Sequence, residues 1–364
     1  MLTAVGATYC TTDDPNRSRQ TVEILAQPAL IKPGNNPIDL KIATGVDPEA
    51  LDRAVELLGQ GQLVAIPTET VYGLAANALS PEAVNRVFNA KGRPANNPLI
   101  VHVESAEMAR SCVSAWPSAA DRLAEVFWPG PLSIVLPKAD LVPDIVTAGG
   151  ETVAVRCPAH PVMLTVLSRC GFPLAAPSAN LSNQVSPTRA RHVAEQLADR
   201  IPMILDGGAC EVGIESTVVD LTGEIATVLR PGMVSPEQIR DVLGEVRTTA
   251  AGQRSGDALK SPGQLPLHYS PKARVILAGE DWKKSLGQSG TKAYIISTEP
   301  PPADFDLENW HQLPASPDGY ARSLYDTLNQ CDQTGAELIL IQSLPSGAGW
   351  DAIRDRLSRA ASGS

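Results

Sequence analysis

Apolar residues along the chain follow two spacings, the three-to-four-residue spacing of helices and the short unbroken runs of strands. The segment "PEALDRAVELLGQGQ" (48–62) places leucine and alanine on one helical face and ends at two glycines. The segment "PEAVNRVFNAKG" (81–92) predicts a second helix, because Ser80 followed by proline is a typical start and Gly92 a typical end. Further helical spacing falls at 118–127, 161–170, 188–199 and 235–243.

Short apolar runs bounded by turn residues predict the strands. They are 63–68, 98–103, 132–137, 152–158, 173–178, 201–208, 216–222 and 226–232. Because these runs interleave with the helical segments, the fold class we predict is α/β, with a twisted mixed sheet and helices packed on it.

The composition changes after residue 247. The segment 247–273 is rich in Gly, Ser, Pro and Ala and predicts a linker. Beyond it, "RVILAGE", "KAYIIST" and "AELILIQSL" alternate with helical stretches at 318–330 and 350–360, which predicts a smaller, Rossmann-like α/β domain. We therefore expect an N-terminal extension (1–37), a larger α/β domain (38–247), a linker (248–271) and a smaller C-terminal domain (272–364).

Composition narrows the classes of function. The chain has 364 residues, 43% of them apolar and 19% charged, which is typical of a soluble globular protein. No apolar run approaches the roughly 18 residues that span a bilayer, and the N-terminus resembles neither a secretory signal nor a transit peptide. The six cysteines form no C-x-x-C pair, which favours reduced thiols and argues against a zinc ribbon. We expect a cytoplasmic protein.

A basic turn stands out in a chain whose net charge is −10. From Arg86 to Val103 there is no Asp or Glu, while Lys91 and Arg93 lie in a Gly/Pro/Asn-rich turn before a strand that contains His102. The negative net charge argues against a broad nucleic-acid-binding face, since phosphate neutralisation requires clustered Lys and Arg. The turn therefore indicates a local anion pocket.

Several predicted strands end in polar turns, which is where open α/β sheets bind ligands. We expect "PTETVYG" (67–73) to expose Thr68, Glu69 and Thr70, and "TVAVRCPAH" places Arg156 at a strand end. Polar residues also follow in "APSANLSNQVSPT", "GIESTVVD" and "VLRPG". Each pattern has a plainer explanation: threonines after a strand commonly cap a turn, a strand histidine is commonly structural, and a Ser/Asn run commonly forms Asx turns.

The familiar catalytic motifs are missing from the sequence. It has neither a phosphate-binding G-x-x-x-x-G-K-[ST] loop nor a G-x-G-x-x-G after a strand, and neither a Ser/His/Asp elbow nor a histidine cluster. What remains is arginine, lysine, hydroxyl and amide groups without an obvious base or nucleophile. Such groups suit anion binding and stabilisation of transition-state charge by positioning. The residues alone thus predict a site for polyphosphate and carboxylate.

Seven ordered motifs resemble one family. The segments "PTETVYGLAANA", "KGRPANNPLIVHV", "FWPGPLSIVL", "TVAVRCPAH", "APSANLSNQVSPT", "GIESTVVD" and "VLRPG" are similar to the YrdC-type threonylcarbamoyl-AMP synthases over roughly residues 40–247. The linker with "LPLHYSP" and the small second domain resemble the two-domain form. The resemblance implies synthesis of threonylcarbamoyl-AMP and pyrophosphate from L-threonine, bicarbonate and ATP. The product serves threonylcarbamoyladenosine modification of tRNA.

The resemblance also implies which residues bind. Threonine is expected at Thr70, His102, Arg156, Ala176 and Ser216. ATP is expected at Lys91, Arg93, Asn97, Thr152, Ser178, Ser186, Arg230 and Tyr269. No covalent nucleophile is implied, and Lys91 and Arg93 are expected to offset transition-state charge. Mg2+ is expected to accompany ATP without protein side chains as ligands, and Tyr269 to act as a lid.

Proteins with two other functions use the same or a related domain. An RNA-binding module of the same fold is the main alternative, and net charge −10 counts against it. A carbamoyltransferase for metalloenzyme maturation would carry Cys-pair zinc modules and an acylphosphatase-like region, and the sequence has neither. For partners we expect small-molecule substrates and a functional link to the tRNA threonylcarbamoyl-transfer machinery, without stable nucleic-acid or membrane binding. If the linker acts alone, removal of the second domain should preserve activity.

Overall fold

The computed structural model describes residues 40–248, 269–279, 292–301, 309–347 and 349–362. All of them belong to one compact unit that begins at Pro37. The predicted extension (1–37) and residues 249–268 of the predicted linker lie outside the described residues.

The strands are numbered in chain order. They are β1 (Lys41–Thr44), β2 (Val64–Ile66), β3 (Gly73–Asn77), β4 (Ile100–His102), β5 (Leu132–Pro137), β6 (Thr152–Arg156), β7 (Leu174–Ala175), β8 (Met203–Asp206), β9 (Thr217–Asp220), β10 (Ala226–Arg230), β11 (Val246–Thr248), β12 (Arg274–Ala278), β13 (Ala293–Ser297), β14 (Trp310–Gln312) and β15 (Leu338–Gln342).

The helices are numbered in the same way. They are α1 (Pro48–Gly59), α2 (Pro81–Lys91), α3 (Ala106–Ser111), α4 (Ser118–Phe127), α5 (Asp144–Thr147), α6 (Pro161–Cys170), α7 (Ala190–Leu197), α8 (Pro236–Leu243), α9 (Pro317–Gln333) and α10 (Asp351–Ala361). None of the helices in the described part of the chain is long and apolar enough to cross a membrane.

The strands form two sheets. The larger has the order β1-β8-β2-β3-β7-β4-β6-β5-β9-β10-β11 and is mixed, with β4 parallel to β6 and β5 antiparallel to β6. The smaller, β12-β15-β13-β14, is parallel throughout. The predicted α/β class, with a large mixed sheet and a smaller Rossmann-like domain, is confirmed.

Capping residues explain where the helices begin and end. The Asp47 side chain accepts a hydrogen bond from the Glu49 amide before α1, and Ser80 accepts one from the Ala83 amide before α2. Gly92 ends α2 in the left-handed conformation that glycine adopts without strain. Both helices form within three residues of the predicted bounds, which places the basic turn directly after α2.

The sequence patterns missed β1, β3, β11 and β14. The strand β3 has the sequence GLAAN, whose small residues lack the β-branched and aromatic side chains that mark a strand. It nevertheless pairs antiparallel with β2, so the polar turn between them bends back over the sheet. This fold buries the turn against the strand ends of β4 and β6.

Candidate active site

A cavity lies where β4 and β6 end. The two strands pair in parallel with His102 opposite Arg156, so both side chains are at the same end of the sheet. The cavity has a volume of about 50 Å³. It is lined by Thr68, Thr70, Val71, Gly73, Arg93, Ile100, His102, Arg156, Ala176, Pro177, Ser178, Glu215, Ser216, Arg230 and Tyr269.

Most of the predicted site residues meet here. All five residues predicted to bind threonine line the cavity, and so do four predicted to bind ATP, namely Arg93, Ser178, Arg230 and Tyr269. The other four predicted ATP residues, Lys91, Asn97, Thr152 and Ser186, do not line it. Thr152 starts β6, at the opposite end of that strand from Arg156, and the parallel pairing of β4 with β6 puts it on the side where the basic turn leads into β4.

Arg156 is fixed by three groups. Its guanidinium donates to the Thr70 hydroxyl at 3.0 Å and to the Gly130 carbonyl at 3.2 Å. It also lies 2.7 Å from a Glu69 carboxylate oxygen, in an ion pair whose side chains are at most 6% exposed. Neither Glu69 oxygen has a hydrogen bond of good geometry within the described ranges, so charge attraction holds this pair.

The expectation that the "PTETVYG" turn exposes its polar residues is wrong. Thr68, Glu69 and Thr70 are all buried. The Thr68 hydroxyl lies 2.8 Å from that of Thr70 and donates to the Val71 carbonyl at 2.7 Å, which closes the turn. Thr68 therefore has the turn-capping role that is common for threonine. The Glu69 backbone carbonyl also accepts from the Val212 amide at 2.7 Å.

His102 is a neutral imidazole. Burial and the nearby charge of Arg156 lower the pKa of His102 to about 3. Its Nδ1 is buried and has no hydrogen-bond partner in the described part of the protein. A buried ring nitrogen without a partner is uncommon and indicates a position for a ligand atom.

The basic turn packs its cations against backbone carbonyls. Lys91 donates to the carbonyls of Ser178 and Asn180, at 2.5 Å each, and so ties the end of α2 to the polar segment after β7. Arg93 donates to the carbonyls of Asn97 at 3.1 Å and Pro98 at 2.8 Å. Both cations are almost completely buried. Their heads are thus positioned by the backbone.

Burial also shifts the protonation of these cations. Burial, opposed by Tyr269 and reinforced by Arg230, lowers the pKa of Arg93 to about 9. Burial, and then the charge of Arg93, lowers the pKa of Lys91 well below its usual value. Keeping such a buried cation charged costs free energy. A bound anion offsets part of that cost, because it stabilises the charged form of the cation.

The basic turn also contains a buried amide oxygen, the Oδ1 of Asn97, which has no hydrogen-bond partner among the described atoms.

Arg230 and Ser216 form the opposite wall. Arg230, at the end of β10, donates to the Ser216 carbonyl and to the Ser216 hydroxyl, at 3.1 Å each. The Ser216 hydroxyl also lies 2.8 Å from that of Ser133 on β5. Burial lowers the pKa of Arg230 as well. Arg93 and Arg230 both line the cavity, so the two arginines face the same space.

The sequence patterns missed the carboxylate in this wall. Glu215 lines the cavity and accepts a hydrogen bond from Ser186 at 2.7 Å. Its other oxygen accepts from Arg356 at 2.7 Å and from the Tyr325 hydroxyl at 3.1 Å, both in the C-terminal domain. The motif "GIESTVVD" contains this glutamate, but nothing local shows that it turns inward.

Tyr269 reaches the cavity from the end of the predicted linker. Its side chain is 1% exposed, and its backbone has a φ of 63°. The ring stacks on Tyr325 at a centroid distance of 6.0 Å and lies 5.2 Å from the Arg356 guanidinium. The C-terminal domain therefore holds this tyrosine against the cavity.

The carboxylate of the cavity is poorly placed to bind a metal directly. Both Glu215 oxygens already accept hydrogen bonds from protein groups. Over the described ranges, no group of three or more His, Cys, Asp or Glu side chains could hold a metal ion. The three arginines of the lining are suited to anions.

Two family models match this chain. The model described as "Telomere recombination" matches residues 56–232, and the model described as "Threonylcarbamoyl-AMP synthase, C-terminal domain" matches residues 234–362. The threonylcarbamoyl-AMP synthase of Pyrococcus abyssi is 41% identical over 285 residues, which cover 75% of this chain and 83% of that relative. The chain belongs to the threonylcarbamoyl-AMP synthase family.

Other members of this synthase family are similar to the chain over both domains. The Bacillus subtilis threonylcarbamoyl-AMP synthase is 38% identical over 286 residues, which cover 76% of this chain and 83% of the relative. The crystal structure of P. abyssi Sua5 complexed with L-threonine superposes with a TM-score of 0.82 and 39% identity. It covers 88% of this chain and 97% of its own. The resemblance based on ordered motifs is confirmed over both domains.

Proposed function

We propose that this chain is a nucleotidyltransferase that forms threonylcarbamoyl-AMP and pyrophosphate from L-threonine, bicarbonate and ATP. One observation carries the proposal. Three buried arginines from separate parts of the chain, Arg93, Arg156 and Arg230, line one cavity together with His102 and Ser216. The charges of this lining suit a carboxylate and a polyphosphate, and because a space of about 50 Å³ is too small for both ligands, Tyr269 must move aside for them to enter.

The threonine half of the site is at the ends of β4 and β6. Arg156 is the partner for the amino acid's carboxylate, because a planar guanidinium matches that anion and Glu69 and Thr70 already orient it. The partnerless Nδ1 of His102 supplies a neutral hydrogen-bonding position. Ala176 is small and buried, which leaves room for the threonine side chain.

The ATP half extends toward the basic turn. Arg93 and Arg230 face the phosphates, and Ser178 adds a polar contact on the same side. Asn97 and Thr152 continue this side beyond the cavity, Asn97 with a buried Oδ1 that lacks a partner among the described residues. Lys91 supports the phosphate side by holding the Ser178 backbone, and Ser186 by its bond to Glu215. A Mg2+ ion bound to the phosphates of ATP would offset part of their charge beside these residues.

The reaction is catalysed by positioning and charge. Threonine's amine and bicarbonate combine with loss of water to give a carbamate, and a carbamate oxygen attacks the α-phosphate while the bond to pyrophosphate breaks. Arg93 and Arg230 offset the negative charge that develops on the phosphates. The low pKa of His102 keeps its ring neutral, so it orients the substrate without donating a proton as a cation.

Closure protects the carbamate, which is unstable in water. Tyr269 covers the cavity and is held by Tyr325 and Arg356, so it acts as a lid that excludes solvent. We further propose that the product passes, in the cytoplasm, to the machinery that transfers threonylcarbamoyl groups to tRNA.

Omission of substrates tests the proposal. Pyrophosphate release from ATP is measured with threonine and bicarbonate each present or left out. The proposal predicts release that requires both, with threonylcarbamoyl-AMP detected by mass spectrometry. Release that is indifferent to threonine would instead make the protein a nucleotide hydrolase.

A further inference from the structure

Buried charges run from the cavity wall into the C-terminal domain. Glu215 pairs with Arg356 at 2.7 Å, and Arg356 pairs in turn with Asp355 at 2.7 Å. Asp355 pairs with Arg359 at 2.9 Å. The four side chains alternate in sign, and their exposure rises from 0% at Arg356 to 13% at Arg359. The set carries no net charge, and Glu215 is its end inside the cavity.

The negative charge of Glu215 would weaken phosphate binding if no positive charge offset it. Among the described residues that line the cavity, Glu215 is the acidic one, and the basic ones are arginines. Burial raises the pKa of Glu215, but the charges of Arg356 and Arg230 and the bonds from Ser186 and Arg356 lower it overall, so the group is ionised. An uncompensated carboxylate here would repel phosphate and attract Arg230.

We infer that Arg356 is a positioning residue of the active site, which neutralises and orients Glu215 so that the arginines of the cavity act on ATP. The inference rests on the proposed function and deepens it. The same guanidinium lies 5.2 Å from the Tyr269 ring, and Tyr325 donates to the same Glu215 oxygen at 3.1 Å. The C-terminal domain therefore completes the ATP side of the site.

Two substitutions in the full chain have effects of opposite sign on ATP affinity. Arg356→Met leaves Glu215 as a buried charge without its partner on α10, and we expect it to weaken ATP binding by about tenfold. Glu215→Gln removes that charge, leaves Arg356 with a surplus positive charge, and tightens ATP binding by about threefold. In the double variant both charges are gone, and ATP affinity returns to within about threefold of the unmodified protein. Threonine affinity changes less than ATP affinity in all three.

Calorimetric titration of ATP, and separately of threonine, into each variant measures these effects. Arg354→Met is the matched control, because Arg354 is on the same helix and pairs with Asp351 at the surface. We expect it to bind ATP as the unmodified protein does. A purely structural role for the pair predicts that both single variants weaken both ligands, and that result would overturn the inference.

The double variant keeps the inference testable if Arg356→Met alone does not fold. Because it contains no lone buried charge at this position, it is expected to fold, and a tenfold loss of its ATP affinity would contradict charge compensation. ATP binding is read without threonine or turnover. Failure of the substrate-omission assay would therefore refute the proposed reaction and still leave the role of Arg356 to be decided by binding.

Discussion

The Glu69 carboxylate lies 2.7 Å from the Arg156 guanidinium, and the pair spans the wall of the cavity. Arg156 lines the cavity, whereas Glu69 does not. The arginine that we assign to the threonine carboxylate is thus held from behind by an acid. A ligand carboxylate can then bind its open side without reorganising it.

Loss of the Glu69 charge should destabilise the fold. Glu69→Gln leaves Arg156 as a buried cation without its partner, and we expect the free energy of unfolding to fall by about 3 kcal/mol. Urea titration followed by circular dichroism measures the change. Glu56→Gln is the control, since Glu56 pairs with Arg53 on the exposed surface of α1, where about 0.5 kcal/mol is expected. Equal effects of the two substitutions would show that burial of the Glu69 pair is unimportant.

Removal of the lid side chain should impair catalysis in two steps. Tyr269→Phe keeps the ring that stacks on Tyr325 but loses the hydroxyl, which lies in the same cavity as Arg230, and we expect a several-fold higher KM for ATP. Tyr269→Ala also opens the cavity, and kcat/KM should fall by about a hundredfold. Steady-state pyrophosphate release measures both. Full activity of the alanine variant would refute the lid.

The contacts of Tyr269 also change what we expect of the C-terminal domain. From the sequence alone, removal of this domain with the linker kept is expected to preserve activity. Since Tyr325 and Arg356 support both Tyr269 and Glu215, we now expect substitutions at these C-terminal positions to reduce activity.

His102 should make stability depend on pH. Its pKa is about 3 in the folded protein and lies near 6.5 when unfolded, so the unfolded chain binds more protons between these values. Stability is therefore lost as the pH falls below about 6.5, by about 2 kcal/mol between pH 6.5 and pH 5 from this group. We expect His102→Gln to flatten the dependence in that interval. Urea titrations at pH 5 to 7.5 measure it, and an unchanged slope would contradict a buried neutral His102.

Two glycines with the same φ of 86° separate backbone strain from crowding. A β-carbon at Gly213 would lie 2.4 Å from the Ala321 carbonyl of α9, whereas one at Gly208 meets nothing within 4 Å. Gly208→Ala should cost about 1 kcal/mol of stability from strain. Gly213→Ala should cost at least about 2 kcal/mol more, because α9 must move away from the loop that carries Glu215. Thermal unfolding compares the two, and equal losses would show that α9 does not pack tightly on this loop.

Local patterns were sufficient for much of this architecture. The caps at Asp47 and Ser80 and the apolar faces of α1 and α2 are encoded within a few residues of each helix end, and both helices form where the sequence predicts. The sequence indicates the arginines of the site, because a cation without a nearby acid at a strand end or in a turn is unusual in an acidic chain. Ordered motifs then linked them to one family.

The residues that pair with these cations are distant in the sequence, so local sequence patterns do not identify them. Glu69 and Arg156 come together because the β2–β3 turn folds over the end of β6, which only the sheet order determines. A signal for Arg356 was present, since it shares a helical face with the buried residues Ile353, Leu357 and Ala360. An arginine in an apolar stripe predicts a buried anion, but the sequence does not say that the anion is Glu215.

Arg156→Lys tests the central claim most directly. Lysine keeps the positive charge but not the planar pair of donors, so the account predicts a KM for threonine raised by about a hundredfold, a KM for ATP changed by less than about threefold, and an intact fold. Pyrophosphate release, with threonine and ATP varied in turn, gives both constants. If threonine affinity were unchanged while ATP affinity fell, Arg156 would belong to the nucleotide, and the assignment of the two halves of the site would be wrong.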